Sequence, residues 1–139
     1  MSEENKAIAR KFFKMFELGD TGLADEVVAA DYVNHNALPG QRLGIEGVKQ
    51  FATSIKNAIP DIQFNIGDQI AEGDKVVTRY TVGGTHQGEL FGISATGKQV
   101  KWTATATMTV ANGKIQEAWI NWDQWGLMQQ LGIVPPPGG

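Results

Sequence analysis

The stretch Val100-Lys-Trp-Thr-Ala-Thr-Ala-Thr-Met-Thr-Val110-Ala-Asn-Gly-Lys-Ile-Gln-Glu-Ala-Trp-Ile-Asn-Trp122 decides the fold. Threonines at 103, 105, 107 and 109 alternate with Trp102, Ala104, Ala106 and Met108, a period of two that belongs to a strand with two unlike faces. Asn112-Gly113 is the pair that a type I′ hairpin turn favours, so Val100–Val110 and Lys114–Trp122 are predicted as its two arms. A two-residue turn sets Ala111 opposite Lys114 and Val110 opposite Ile115. Continued without a break, it also sets Met108 opposite Glu117, Ala106 opposite Trp119, Ala104 opposite Asn121 and Trp102 opposite Asp123. One face then carries the indoles of Trp102 and Trp119 beside small alanines, which suits either a recessed apolar pocket or a core filled under helices. The other face carries the threonines with Ile120 and Trp122, and predicts a homodimer by sheet-to-sheet contact.

Upstream of this hairpin the period changes. Ile8, Phe12, Met15 and Phe16 recur at helical spacing after Ser2-Glu3-Glu4, and Gly19-Asp20 stops that helix. Asp20 is placed to cap a second helix carrying Leu23 and Val27. The segment Asp31 to Asn36 reads as polar and irregular, followed by a Pro39-Gly40 turn. A third helix starts near Ile45 and ends at Pro60. Ile62, Phe64 and Ile66 alternate as a strand, Glu72-Gly73-Asp74 is a turn, and Val76–Val82 a second strand, followed by a long loop to about Lys98. Gln124 to Leu131 is predicted as a short closing helix. Helices first and an antiparallel sheet after them give an α+β fold, with three N-terminal helices packed on one face of a curved sheet. Residues 1–134 read as one domain and Pro135-Pro-Pro-Gly-Gly139 as a disordered tail.

Composition narrows the function classes. The 139 residues carry 12 basic and 15 acidic side chains, a net charge of −3, with no basic stripe, so nucleic acid is not an expected partner. Cysteine is absent, which excludes disulfides and thiolate chemistry. Neither a secretory h-region nor an apolar run of roughly 20 residues is present, so no membrane association and a cytoplasmic location are expected.

Chemistry concentrates in Trp119-Ile-Asn-Trp122-Asp123-Gln-Trp125. A carboxylate among indoles is poorly solvated when charged, which strengthens it as a base. Asp123 also stands where an N-cap for the closing helix belongs, and the sequence leaves both roles open. Glu117 is six strand residues away, roughly 20 Å, too far for a glycosidase-type pair that needs about 5 to 9.5 Å. It is expected to pair with Arg79, the one charge within Val76–Val82. His35 and His86 are the only histidines; a two-histidine, one-carboxylate metal site with Asp123 lacks supporting spacing. No phosphate loop, nucleophile elbow or dinucleotide fingerprint is present.

Several segments resemble one family: Asp31-Tyr-Val-Asn-His-Asn36, Gly84-Thr-His-Gln-Gly88, Gly92-Ile93 with Thr96-Gly97, and a closing pattern. That pattern runs Gly113-Lys114-Ile115, Glu117, Trp119, Asp123, Gly126-Leu127 and Gln130-Leu131-Gly132. In order and spacing they resemble the SnoaL-like polyketide cyclases, also called ester cyclases. The resemblance implies the cone-shaped α+β barrel shared with nuclear transport factor 2 and ketosteroid isomerase. It implies intramolecular aldol ring closure on a small apolar carbonyl compound, without metal or cofactor. Asp123 matches the family's base and His35 a second catalytic candidate, with His86, Arg79, Trp102, Trp119, Glu117 and Asn36 as ligand contacts. The chain departs from the family on the strand Trp102–Val110, which offers only alanines, Met108 and threonines where cyclases carry more polar groups. A non-catalytic binder of an apolar ligand, or epoxide-type hydrolysis with Arg79 beside Asp123, are the alternatives on the same scaffold.

Overall fold

The computed structural model describes residues 2–36 and 43–134; the Pro39-Gly40 turn and the tail expected after Val134 lie outside them. In chain order the elements are α1 (Ser2–Leu18), α2 (Gly22–Val27), β1 (Val28–Asn34), α3 (Gly44–Ala58), β2 (Gln63–Glu72), β3 (Lys75–Thr85), β4 (Gln99–Ala111), β5 (Lys114–Trp122) and α4 (Gln124–Gln130). The sheet order is β1-β5-β4-β3-β2, antiparallel throughout except that β1 runs parallel to β5. The architecture is α+β and cone-like, and the sheet stays open at β1 and β2 instead of closing into a barrel.

Helix α1 is amphipathic, and its apolar stripe buries Ala9, Phe12, Phe13, Met15 and Phe16 against the sheet. Full burial of a side chain such as Phe13 or Met15 contributes about 1.5–3 kcal/mol. Gly19, in the left-handed region at φ 69°, ends the helix and lets Asp20 N–H return to Met15 O at 3.1 Å. Asp20 Oδ1 then accepts from Gly22 N–H at 3.1 Å, tying the turn to the start of α2. The C-terminal ends of α1 and α3 are joined by Lys56, whose ammonium donates to Glu17 O at 2.9 Å and Pro60 O at 2.7 Å.

Two features depart from expectation. The segment Asp31–Asn34 is not irregular: it belongs to β1, whose partner β5 lies some eighty residues downstream. More consequential is a bulge in the β4–β5 hairpin. Val110 pairs with Ile115 and Ala111 with Lys114 as expected, but Thr109 pairs with Glu117, leaving Gln116 as an extra residue. Its side-chain amide donates to Ala111 O at 3.0 Å, holding the bulge in place. Because side chains alternate, one inserted residue turns every later side chain of β5 to the opposite face.

The corrected register sets Thr107 opposite Trp119, Ala106 opposite Ile120 and Ala104 opposite Trp122. Ile120 and Trp122 therefore face inward with Trp102, Ala104 and Met108, and Glu117, Trp119 and Asn121 join the threonines outside. The sheet-to-sheet contact expected at Ile120 and Trp122 is thereby turned into the interior. Arg79 does not meet Glu117: a second bulge, near Gly67 in β2, brings Asp68 opposite Arg79, and the two side chains pair outside the sheet.

Candidate functional site

Between α1, α3 and the concave sheet lies a cavity of about 110 Å³. Its helix side is aromatic: Phe12, Phe13 and Phe16 from α1 and Phe51 from α3. Phe13 and Tyr80 have ring centroids 4.4 Å apart, and Phe16 packs edge-on to Phe51 at 5.8 Å. The sheet side is Phe64, Tyr80, Val82, Trp102, Ile120 and Trp122. Trp102 and Trp122 lie 5.8 Å apart, and Phe91 stacks on Trp122 at 5.5 Å and 29°.

The polar groups among the described lining residues are few and uncharged: the side chains of Tyr32, Asn34, Asn36 and Tyr80, with the indole N–H groups of Trp102 and Trp122. Tyr32, Asn34 and Asn36 point the same way because they alternate along β1 and its continuation. Asn34 Oδ1 accepts from Asn36 N–H at 2.9 Å, and Asn36 Oδ1 accepts from Ile120 N–H at 2.8 Å. Both amide oxygens are thus engaged, and both amide NH2 groups remain free of protein partners among the described residues. The hydroxyls of Tyr32 and Tyr80 also have none, although the side chains are buried. Neither hydroxyl is a fully enclosed atom without a partner, and both residues line the cavity. Burial holds both phenols well above their ordinary value, with the charge of Tyr32 adding to the shift at Tyr80. They are therefore O–H donors at physiological pH. Among the described residues, the cavity lining is apolar with uncharged donors.

Asp123 is not the desolvated carboxylate expected from its indole neighbours. It is exposed and does not line the cavity. Its Oδ1 accepts from Gly126 N–H at 2.9 Å, the N-cap bond of α4. Glycine at 126 permits this fold-back: a Cβ there would stand 2.2 Å from Asp123 Oδ2. Asp123 nevertheless follows Trp122, a wall residue, directly.

His35 also lies off the cavity. It stacks on Trp119 at 4.3 Å and 9°, and its Nε2 is 2.9 Å from Glu117 Oε1, all on the outer sheet face. Thr109 Oγ1 donates to Glu117 Oε2 at 2.8 Å, and Lys75 reaches Thr109 Oγ1 at 2.5 Å while lying over Trp119. Glu117 and Trp119 are thus members of an outer network, not ligand contacts, because the bulge reversed their face. Arg79 belongs to the outer surface as well, which removes the geometry that epoxide hydrolysis beside Asp123 requires. His86 is fully buried off the cavity; Thr96 N–H approaches its Nδ1 at 3.3 Å, and Nε2 has no partner among the described residues. The structure does not gather His35, His86 and Asp123 into a metal-binding cluster, and no group of three such ligands occurs among the described residues. Trp102 and Asn36 are on the cavity wall. Tyr32, Asn34 and Phe91 were not singled out from sequence; the alternation Tyr32-Asn34-Asn36 is the signal that would have marked an inward strand face.

The Glu117 network has a pH signature. Its carboxyl is held below the ordinary value of 4.5 by the His35 hydrogen bond first, then by the Thr109 hydroxyl and the Lys75 charge, against a smaller opposing effect of desolvation. A folded value below the unfolded one means the contribution is complete above 4.5 and is lost as pH falls through the folded value. Glu117→Gln is expected to be less stable than wild type at neutral pH and to converge with it below pH 4.5, measured by urea denaturation at stepped pH.

With this geometry in view, the model of the SnoaL-like polyketide cyclase domain matches residues 6–131, nearly the whole described chain. The chain belongs to the SnoaL-like polyketide cyclase family. Solved structures agree. A candidate polyketide cyclase from Bacillus cereus is similar at 30% identity and TM-score 0.83, over 94% of this chain and 82% of that one. TsrD from Streptomyces laurentii is similar at 26% identity and TM-score 0.88, over 95% and 97%. IdmH from Streptomyces antibioticus, a candidate polyketide cyclase, is similar at 28% identity and TM-score 0.79, over 92% and 98%. Comparison with curated proteins finds no match. The SnoaL-like chain thus has a cyclase- or isomerase-type scaffold. No helix among its described residues is long and apolar enough to cross a membrane.

Proposed function

We propose that this SnoaL-like protein takes a small apolar carbonyl compound into the cavity and promotes its enolisation, for ring closure or isomerisation. The observation that carries this reading is the cavity itself: among the described residues, apolar and aromatic walls interrupted by uncharged donors. Such donors stabilise an oxygen that gains negative charge, and they act more strongly in a low-dielectric surround than in water. In this scheme the carbonyl oxygen accepts from the Tyr and Asn groups. A carboxylate removes the α-proton, and the electron pair moves through the new C=C bond onto the oxygen. The enolate carbon then attacks a second carbonyl in the same molecule, forming the ring bond, and the resulting alkoxide recovers a proton. Asp123 is the base in this reading: it directly follows the wall residue Trp122 and has an Oδ2 that the cap bond leaves free. Standing outside the described lining, it acts by turning from its cap position toward the cavity.

Binding tests the reading without a known substrate. Acetophenone should quench the fluorescence of Trp102 and Trp122 saturably. Tyr80→Phe should weaken it about fivefold, the worth of one hydrogen bond near 1 kcal/mol, and leave ethylbenzene unaffected. Equal loss for both compounds, or no binding of either, would refute the carbonyl reading.

A second reading is a holder that binds its ligand unchanged. It is favoured by one observation: no carboxylate or imidazole is among the described cavity-lining residues. Substitution of Asp123 separates the two.

A further inference from the structure

Among the described lining residues, only Asn36 and Phe91 lie outside helices and strands. Phe91 sits at the tip of a tight turn: Leu90 N–H donates to Ile93 O at 3.0 Å and Ile93 N–H returns to Leu90 O at 2.8 Å. The two residues between, Phe91 at φ 51° and Gly92 at φ 79°, are both left-handed. This is the conformation of a type I′ turn, which Asn or Gly adopts readily and a bulky side chain resists. Nothing stands within 4 Å of a Cβ at Gly92, so the tip is in open space and its backbone is not pressed into shape by neighbours at that point. What the phenylalanine does make is a stack on Trp122, which in turn leans on Trp102. A strained residue that persists at an open loop tip is held by the contact of its ring, and that ring is part of the cavity wall.

The cavity that Phe91 helps enclose has a volume of about 110 Å³ and is partly open to solvent, so a small ligand can extend through its mouth. We infer that Phe91 determines ligand size in this protein, closing the hollow against Trp122 so that it receives single-ring or comparably small carbonyl compounds and rejects fused rings. The inference rests on the cavity being the ligand site, as proposed above. It follows that shortening the side chain at 91 admits a larger ligand without disturbing a helix or strand.

The test uses acetophenone and 2-acetylnaphthalene with wild type, Phe91→Gly and Phe91→Ala, read by isothermal titration calorimetry and thermal melting. Wild type should bind acetophenone about tenfold or more tightly than 2-acetylnaphthalene, and both variants should gain about tenfold for the fused-ring ketone. Phe91→Gly should melt above Phe91→Ala, since only glycine relieves the left-handed turn, and both should melt cooperatively. Wild type binding both ketones equally, or variants that keep the wild-type preference, would overturn the role of Phe91 while leaving the cavity as the ligand site. Failure of all three proteins to bind either ketone would overturn the cavity reading and this inference with it.

Discussion

Asp123→Asn is expected to lower turnover of an enolisable ketone by about 10²- to 10⁴-fold, the range for loss of a positioned general base. Its melting temperature should stay close to that of wild type. The two expectations separate because asparagine caps a helix about as well as aspartate but has no basic oxygen. The side-chain oxygen at 123 can still accept from Gly126 N–H, now 2.9 Å from Asp123 Oδ1. Asp123→Ala removes both functions and should also destabilise the protein by about 0.5–2 kcal/mol. Steady-state kinetics beside thermal melts of the two variants decide the matter. If Asp123→Asn turns over like wild type, the carboxylate is a cap alone and another group is the base; if neither protein turns the ketone over while both bind it, the holder reading stands.

Gly88→Ala is expected to be the most damaging conservative change outside the cavity. Gln87 and Gly88 N–H groups both donate to Ala58 O, at 2.8 and 3.0 Å, fastening the loop after β3 to the last turn of α3. A Cβ at Gly88 would stand 2.6 Å from Asn57 O and 3.1 Å from Ala58 Cα, both backbone atoms that no rotamer change can move. Relief requires the loop to leave the helix, breaking those bonds. The cost should be near the top of the overpacking range, about 3 kcal/mol. That corresponds to a fall in melting temperature of roughly 10 °C for a chain of this size, and a fall under about 2 °C would show that the loop yields easily.

Local signals in the sequence carried most of the architecture. The Asn112-Gly113 turn adopts the left-handed pair of angles, 55° and 75°, that its residues favour. The helical stripe Ile8–Phe16 packs inward as its spacing predicts, and the family resemblance agrees with the fold. The losses were non-local. Strand β1 exists because β5 offers it a parallel edge, and nothing within Asp31–Asn34 announces a partner so far along the chain. Arg79 found Asp68 because of a bulge near Gly67, and Glu117 found His35 because β1 ends beside β5. Asp123 was legible as a cap and misleading as a buried base, since the indoles on either side of it in sequence do not enclose it in space.

The bulge at Gln116 has a wider meaning. Strand parity downstream of it is set by whether Gln116 is paired in the ladder or left out of it, so this one bulge selects which half of β5 lines the cavity. Pairing Gln116 into the ladder instead of bulging it would present Trp119 and Asn121 to the hollow and send Ile120 and Trp122 outward, whereas deleting it would leave every face as it is. Proteins built on such a hairpin thus have a route to new interiors, and new outer faces, through the gain or loss of a bulge as well as through substitution.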